Sequence, residues 1–100
     1  MSVEEWEFTP PAFSPSEGLQ RLRRGLREMG LSERGGLWER KGVAVARLEL
    51  QSQAILAAQV RRPVRGRPEW VARELKSDAD TRDFTADLKR KLSQWSNEDE

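Results

Sequence analysis

The hydrophobic period of this chain changes twice, and that change limits its fold more than any other feature of the sequence. Leu19, Leu22, Leu26 and Met29 recur at helical spacing. From Val43 to Leu50 the pattern becomes an alternation, with Ala44, Ala46, Leu48 and Leu50 on one side and Val43, Val45, Arg47 and Glu49 on the other. Helical spacing returns with Phe84, Leu88, Leu92 and Trp95. A chain of 100 residues with this order fits one α+β domain.

Local signals place the ends of the two helices. Ser14-Pro15-Ser16-Glu17 reads as an N-cap, a proline at the first helical position and a capping-box glutamate, while Gly30-Leu31 reads as a left-handed stop. The spacing predicts helix one over residues 15–29. Ser77 with Asp80 is a second capping box; Asp78 and Asp80 suit the positive helix end, and Lys89, Arg90 and Lys91 the negative end.

Between the helices, Val43 to Leu50, Ala54 to Arg62 and Glu69 to Lys76 read as strands, the first two joined across Gln51-Ser52-Gln53. β-branched Val43, Val45, Ile55 and Val60 favour this over an alanine-rich helix spanning Ala44 to Val60. The expected architecture is therefore α-β-β-β-α, a three-stranded antiparallel sheet with one face covered by both helices through Leu19, Leu22, Leu26, Phe84, Leu88 and Leu92. Residues 1–14 form an extended aromatic segment carrying Trp6, Phe8 and Phe13, residues 15–96 the domain, and residues 97–100 an acidic tail.

Composition narrows the chemistry. With no His, Cys or Tyr, the chain lacks the usual general bases, strong nucleophiles and soft metal ligands, so it reads as non-enzymatic and without a cofactor. Gly35-Gly36 does not complete a phosphate-cradling loop. Asp80, Asp83 and Asp87 recur along one side of the last helix at a spacing compatible with a hard cation, but ion pairs from Asp78 to Arg82 and from Asp87 to Lys91 explain these acids more simply. Without cysteines, an apolar leader or a long apolar run, a soluble cytoplasmic protein with no membrane contact is expected.

Charge is what remains. The net charge of +1 hides a basic middle between acidic ends, with four arginines, Arg61, Arg62, Arg65 and Arg67, around Pro63 and Gly66. Arginine is favoured over lysine throughout the chain, so its clustering is more informative than its abundance. Helix one adds Arg21, Arg23, Arg24 and Arg27, whose simplest role is to solvate its outer face. The candidate binding residues are Arg61, Arg62, Arg65, Arg67, Arg21, Arg24 and Trp70. Their leading reading is a small interaction or adaptor domain whose basic surface meets an acidic protein surface or, in a homodimer, the chain's own acidic termini. Trp6, Trp38, Trp70 and Trp95, each near an element end, are candidate interface anchors, and exposed strand edges invite two-fold pairing.

The second reading is nucleic-acid binding through Arg61 to Arg67 and the arginine face of helix one. It requires both arginine sets to line one groove. Double-stranded RNA-binding domains share the expected element order, but the acidic start of the last helix here would repel phosphate. Three-stranded DNA readers of the integrase-arm type share only topology; on such an open face Arg47, Gln59, Arg61 and Arg73 would be the contacts.

Overall fold

A computed structural model describes residues 13–98. Helix α1, Pro15–Glu28, is followed by strands β1, Ser32–Arg34, β2, Leu37–Arg40, β3, Val43–Leu50, β4, Ile55–Val60, and β5, Trp70–Leu75, and by helix α2, Asp78–Glu98. All neighbouring strands are antiparallel, in the spatial order β1-β2-β3-β4-β5. The sheet thus has five strands among the described residues, where three were expected.

The two extra strands come from two tight turns. Gly35 and Gly36 connect β1 to β2, and Lys41 and Gly42 connect β2 to β3, with all four residues at positive φ. Two-residue turns with positive φ at both positions match the natural twist of paired strands. Lys41 occupies this region without glycine's freedom, at φ 54°.

Both helix starts follow their local signals. Ser14 Oγ accepts from the Glu17 N–H, with Pro15 in the first turn. Ser77 Oγ accepts from the Asp80 N–H at 3.1 Å, and the Asp80 carboxylate reaches back to accept from the Lys76 N–H at 2.9 Å. The α1 stop is a complete Schellman pair: the Leu31 N–H donates to Leu26 O, and the Gly30 N–H, at φ 88°, to Arg27 O. Leu26 and Leu31 are both buried, which adds the apolar contact of that motif. Asn97 and Glu98, expected in an acidic tail, continue α2. Residues 1–12, including Trp6 and Phe8, and residues 99 and 100 lie outside the described residues.

Register separates the sheet's two faces. Trp38, Ala46, Gln59 and Val71 form one row, and Leu48, Ala57 and Arg73 the next, on the side toward the helices. There the Gln59 amide donates to Asp87 of α2, and Arg73 donates to Asp80 O. The core joins Leu22 and Leu26 of α1 to Phe84, Leu88, Leu92 and Trp95 of α2 and to Trp38, Ile55 and Leu75 of the sheet, with Leu19 and Phe13 packed on its margin. The expected helix-facing set is therefore the observed one.

One strand departs from simple alternation. The β2–β3 register shifts between Trp38 and Glu39, so Trp38 pairs with Ala46 but Glu39 with Ala44, and Val45 is the extra residue. Val45 and Ala46 are both fully buried, whereas the expected alternation set them on opposite faces with Ala44 beside Ala46. Trp38 and Trp95 are likewise buried in the core and are not half-exposed anchors.

Two glycines in α1 separate packing from propensity. A Cβ at Gly18 would stand 2.9 Å from the Phe13 ring and 3.2 Å from Ile55 Cδ1; one at Gly25 would meet only Thr85 Cγ2, at 3.8 Å. Gly25→Ala should therefore keep the full helix-propensity gain of about 1 kcal/mol, raising Tm by roughly 4–8 °C. Gly18→Ala should lose that gain to the displaced ring. Thermal unfolding of the two variants checks this: Gly25→Ala melts above the parent and Gly18→Ala does not.

Candidate interaction surface

The helices cover one side of the sheet and leave the other open. On the open side register aligns Leu37, Arg47, Ala58 and Ala72 in one row and Glu49, Leu56 and Glu74 in the next. All of these but Glu74, with Gly35, Gly36, Gly66, Pro68 and Trp70, line a shallow groove of about 780 Å³. Small side chains form much of its floor. Trp70 stands half-buried at its side, with the Arg47 guanidinium 5.4 Å from the ring centroid. A cation over an indole at a partly exposed site contributes about 0.5–1 kcal/mol.

The loop between β4 and β5 borders this groove through Gly66 and Pro68. Its first arginine is anchored: Arg61 Nε lies 2.7 Å from the Glu69 carboxylate, and the Arg61 N–H donates to Glu69 O. Arg62, Arg65 and Arg67 are exposed and have no ion-pair partner among the described residues. Arg65 instead shares a cleft of about 270 Å³ with Arg40 and Lys41, walled by Val43, Val45, Pro63 and Val64. No carboxylate lines that cleft among the described residues. Arg40 is turned toward α2, donating to Leu92 O and to Ser96 Oγ.

Helix α1 sends its arginines elsewhere. Arg21 pairs with Asp78 at 2.6 Å, so Asp78 bridges the helices instead of forming the expected pair with Arg82. Arg23 and Arg27 both reach Glu33 of β1, at 2.6 and 3.8 Å, and Arg27 also lies over the Trp38 ring. Arg24 is exposed without an ion-pair partner among the described residues. Asp78 follows the C-terminal end of β5, while loop 61–69 precedes its N-terminal end; six residues at about 3.3 Å each put roughly 20 Å between them. The Arg21 side chain and the arginine loop therefore do not meet in one groove.

Two contacts expected on an open DNA-reading face point the other way, because Gln59 and Arg73 face the helices. Lys41 is the basic residue that sequence reasoning missed. The Lys41-Gly42 pair, read as a two-residue hairpin turn, would have placed it at a turn tip beside the loop.

The carboxylates of α2 are used individually. Among the described residues, no group of three or more acidic side chains is arranged to hold a metal ion. Asp80 caps the helix start. Asp87 accepts from Gln59 at 2.8 Å, pairs with Lys91 at 3.4 Å as expected, and also pairs with Arg90. These partners, Gln59 foremost, hold its pKa down to about 2 from 3.8 against the opposing effect of burial. Known proteins offer no template: the chain matches no family model, no curated protein and no solved structure.

A carboxylate with a depressed folded pKa stabilises the fold above its unfolded pKa and loses that contribution as pH falls. For Asp87 the loss runs from about pH 4 down to pH 2. Urea unfolding across pH 2–6 should show stability falling in that window. With Asp87→Asn the fall should be smaller by roughly 1–2 kcal/mol, a range discounted for solvent screening of a side chain 25% exposed.

Proposed function

We propose that this chain is a small non-enzymatic interaction or adaptor domain that takes an acidic protein partner on the rim formed by loop 61–69 and the β2–β3 turn. Trp70 and the open sheet face supply the apolar part of the contact. The reading rests on one observation above the rest: Arg65 and Lys41 line a cleft with apolar walls and no carboxylate among the described residues. Arg62 and Arg67 lie on the same loop, also without an ion-pair partner among the described residues, and cations left without local partners raise the concentration of anions near a surface. Arginine beside a partly exposed tryptophan is also the composition of interface hot spots.

Composition supports the non-enzymatic part, since His, Cys and Tyr are absent from the sequence. A cytoplasmic setting belongs to the same proposal and rests on the cysteine-free sequence. No helix among the described residues is long and apolar enough to cross a membrane. Nucleic acid, the alternative partner, would have to bind through the loop alone or through separated basic patches, with affinity falling steeply as salt rises.

The test is an NMR titration of labelled protein with a glutamate-rich peptide carrying one aromatic residue and, separately, with a short mixed-sequence duplex, at 20 and 150 mM salt. The proposal expects peptide-induced shifts at Lys41, Arg62, Arg65, Arg67 and the Trp70 indole that persist at 150 mM salt. The triple variant Arg62→Ala/Arg65→Ala/Arg67→Ala should weaken them at least tenfold with Tm unchanged, because these side chains make no ion pair among the described residues. Duplex-induced shifts that survive 150 mM salt and extend to Arg24 would replace the acidic-protein reading with nucleic-acid binding.

A further inference from the structure

The two edges of the sheet are built differently. β1 ends the sheet with three exposed residues between a helix stop and a Gly-Gly turn, too short to recruit another strand. β5 ends it with six residues, of which Trp70, Ala72 and Glu74 are the ones that matter. The bond from the Arg61 N–H to Glu69 O makes Arg61 and Glu69 a hydrogen-bonded pair. Antiparallel pairs alternate, so Val71, Arg73 and Leu75 direct their backbone groups to β4, while Trp70, Ala72 and Glu74 direct theirs outward. No backbone bond to these outward groups occurs among the described residues.

We infer that β5 is a self-association edge and that its partner is β5 of a second copy, paired antiparallel across a two-fold axis at Ala72. Five two-fold registers use the outward groups, and of these an axis at Val71 sets Glu74 against Pro68, while an axis at Arg73 sets that guanidinium against its own copy. An axis at Trp70 sets Ala72 against Pro68, which has no N–H to donate. An axis at Glu74 sets that carboxylate against its own copy. An axis at Ala72 brings a small exposed side chain to the centre and lets the three outward N–H groups of each copy donate to the three outward C=O groups of the other.

Charge favours the same register. It places Glu74, whose nearest cation is its own Lys76 at 3.9 Å, opposite Trp70 of the second copy, and therefore beside the Arg47 guanidinium carried on that ring. Val71, an apolar side chain 40% exposed, then sits diagonally across the axis from its own counterpart. The two open faces join into one continuous surface, with an arginine loop on each half. This association shares Trp70 with the acidic-partner reading but uses the strand edge and leaves the arginines of loop 61–69 on the rim, so either can fail without the other. A single strand edge buries less than about 1,200 Å² in total, the range of weak interfaces, so a dissociation constant on the order of 100 μM is expected.

Sedimentation equilibrium from 10 μM to 1 mM, with amide hydrogen exchange at both ends of the range, tests this. The apparent mass should rise from 11.5 kDa toward twice that value. Over the same range the Trp70, Ala72 and Glu74 amides, exchanging through the monomer, should slow about fourfold, while Val71 and Arg73 are protected throughout. Glu74→Arg should weaken the dimer at least tenfold, and Glu74→Arg with Arg47→Glu should restore it. Ala72→Pro, which removes an outward N–H and leaves the β4 ladder intact, should abolish the dimer while keeping the parent's far-ultraviolet spectrum. A mass of 11.5 kDa at 1 mM, or a dimer whose three outward amides still exchange freely, overturns the inference.

Discussion

Burial of Trp38 is the constraint on which the rest of this structure depends. It is the largest fully buried side chain, and it is carried by a strand of only four residues. Its row runs through Ala46, a small residue that leaves room for the indole, to Gln59. The register shift at Val45 sends Val45 and Ala46 inward together and turns Ala44 to the open groove. Arg27 of α1 closes over the ring at 5.7 Å, and the same helix ties β1 to itself through Arg23 and Glu33. The indole N–H has no hydrogen-bond partner among the described residues, a cost of about 1–3 kcal/mol offset against one of the largest apolar surfaces in the core.

The open face follows from that one-sided core. Two helices are enough to cover one side of a five-stranded sheet, and both take the Trp38 side. On the other side the strands present Leu37, Arg47, Ala58 and Ala72 to a shallow groove with the β4–β5 loop at its margin. The basic residues divide along the same line. Those on α1 are largely spent on Asp78 and Glu33, whereas most of those on the loop are left to solvent. A sequence that looks uniformly basic in its middle therefore folds so that most α1 arginines are paired internally, while most loop arginines have no ion-pair partner among the described residues.

The legible parts of the fold were those written locally. Ser14, Pro15, Gly30 and Ser77 act within a few residues of themselves, and each sets a helix end where sequence reasoning put it. Strands β3, β4 and β5 were also legible, to within one or two residues at their ends. Strands β1 and β2 were not, because Ser32–Arg34 has no apolar residue and Leu37–Arg40 is too short to show an alternation. Their signal lay in the glycines of the two turns. The bulge was hidden because Val43, Ala44, Val45 and Ala46 are all apolar, so shifting the pairing by one residue leaves the pattern unchanged. The inward direction of Gln59 and Arg73 was hidden for another reason: buried Gln59 is tolerable only with its partner Asp87, and exposed Arg73 reaches the Asp80 carbonyl. Both contacts are made across to a helix whose docking the sequence pattern does not specify residue by residue. For the candidate site, the arginine loop and Trp70 could be read from sequence, but their separation from Arg21 and their proximity to Lys41 depend on the sheet.

The most direct test of this account compares hydrogen exchange and acrylamide quenching at two indoles, Trp38 and Trp70, using indole N–H resonances and single-tryptophan variants. One-sided burial predicts that the Trp38 indole proton exchanges only with global unfolding and that its fluorescence resists quencher, while Trp70 exchanges and quenches readily. Comparable exchange and quenching at both would mean that Trp38 is not sealed beneath the helices, and the division of the sheet into a core face and an open face would fail.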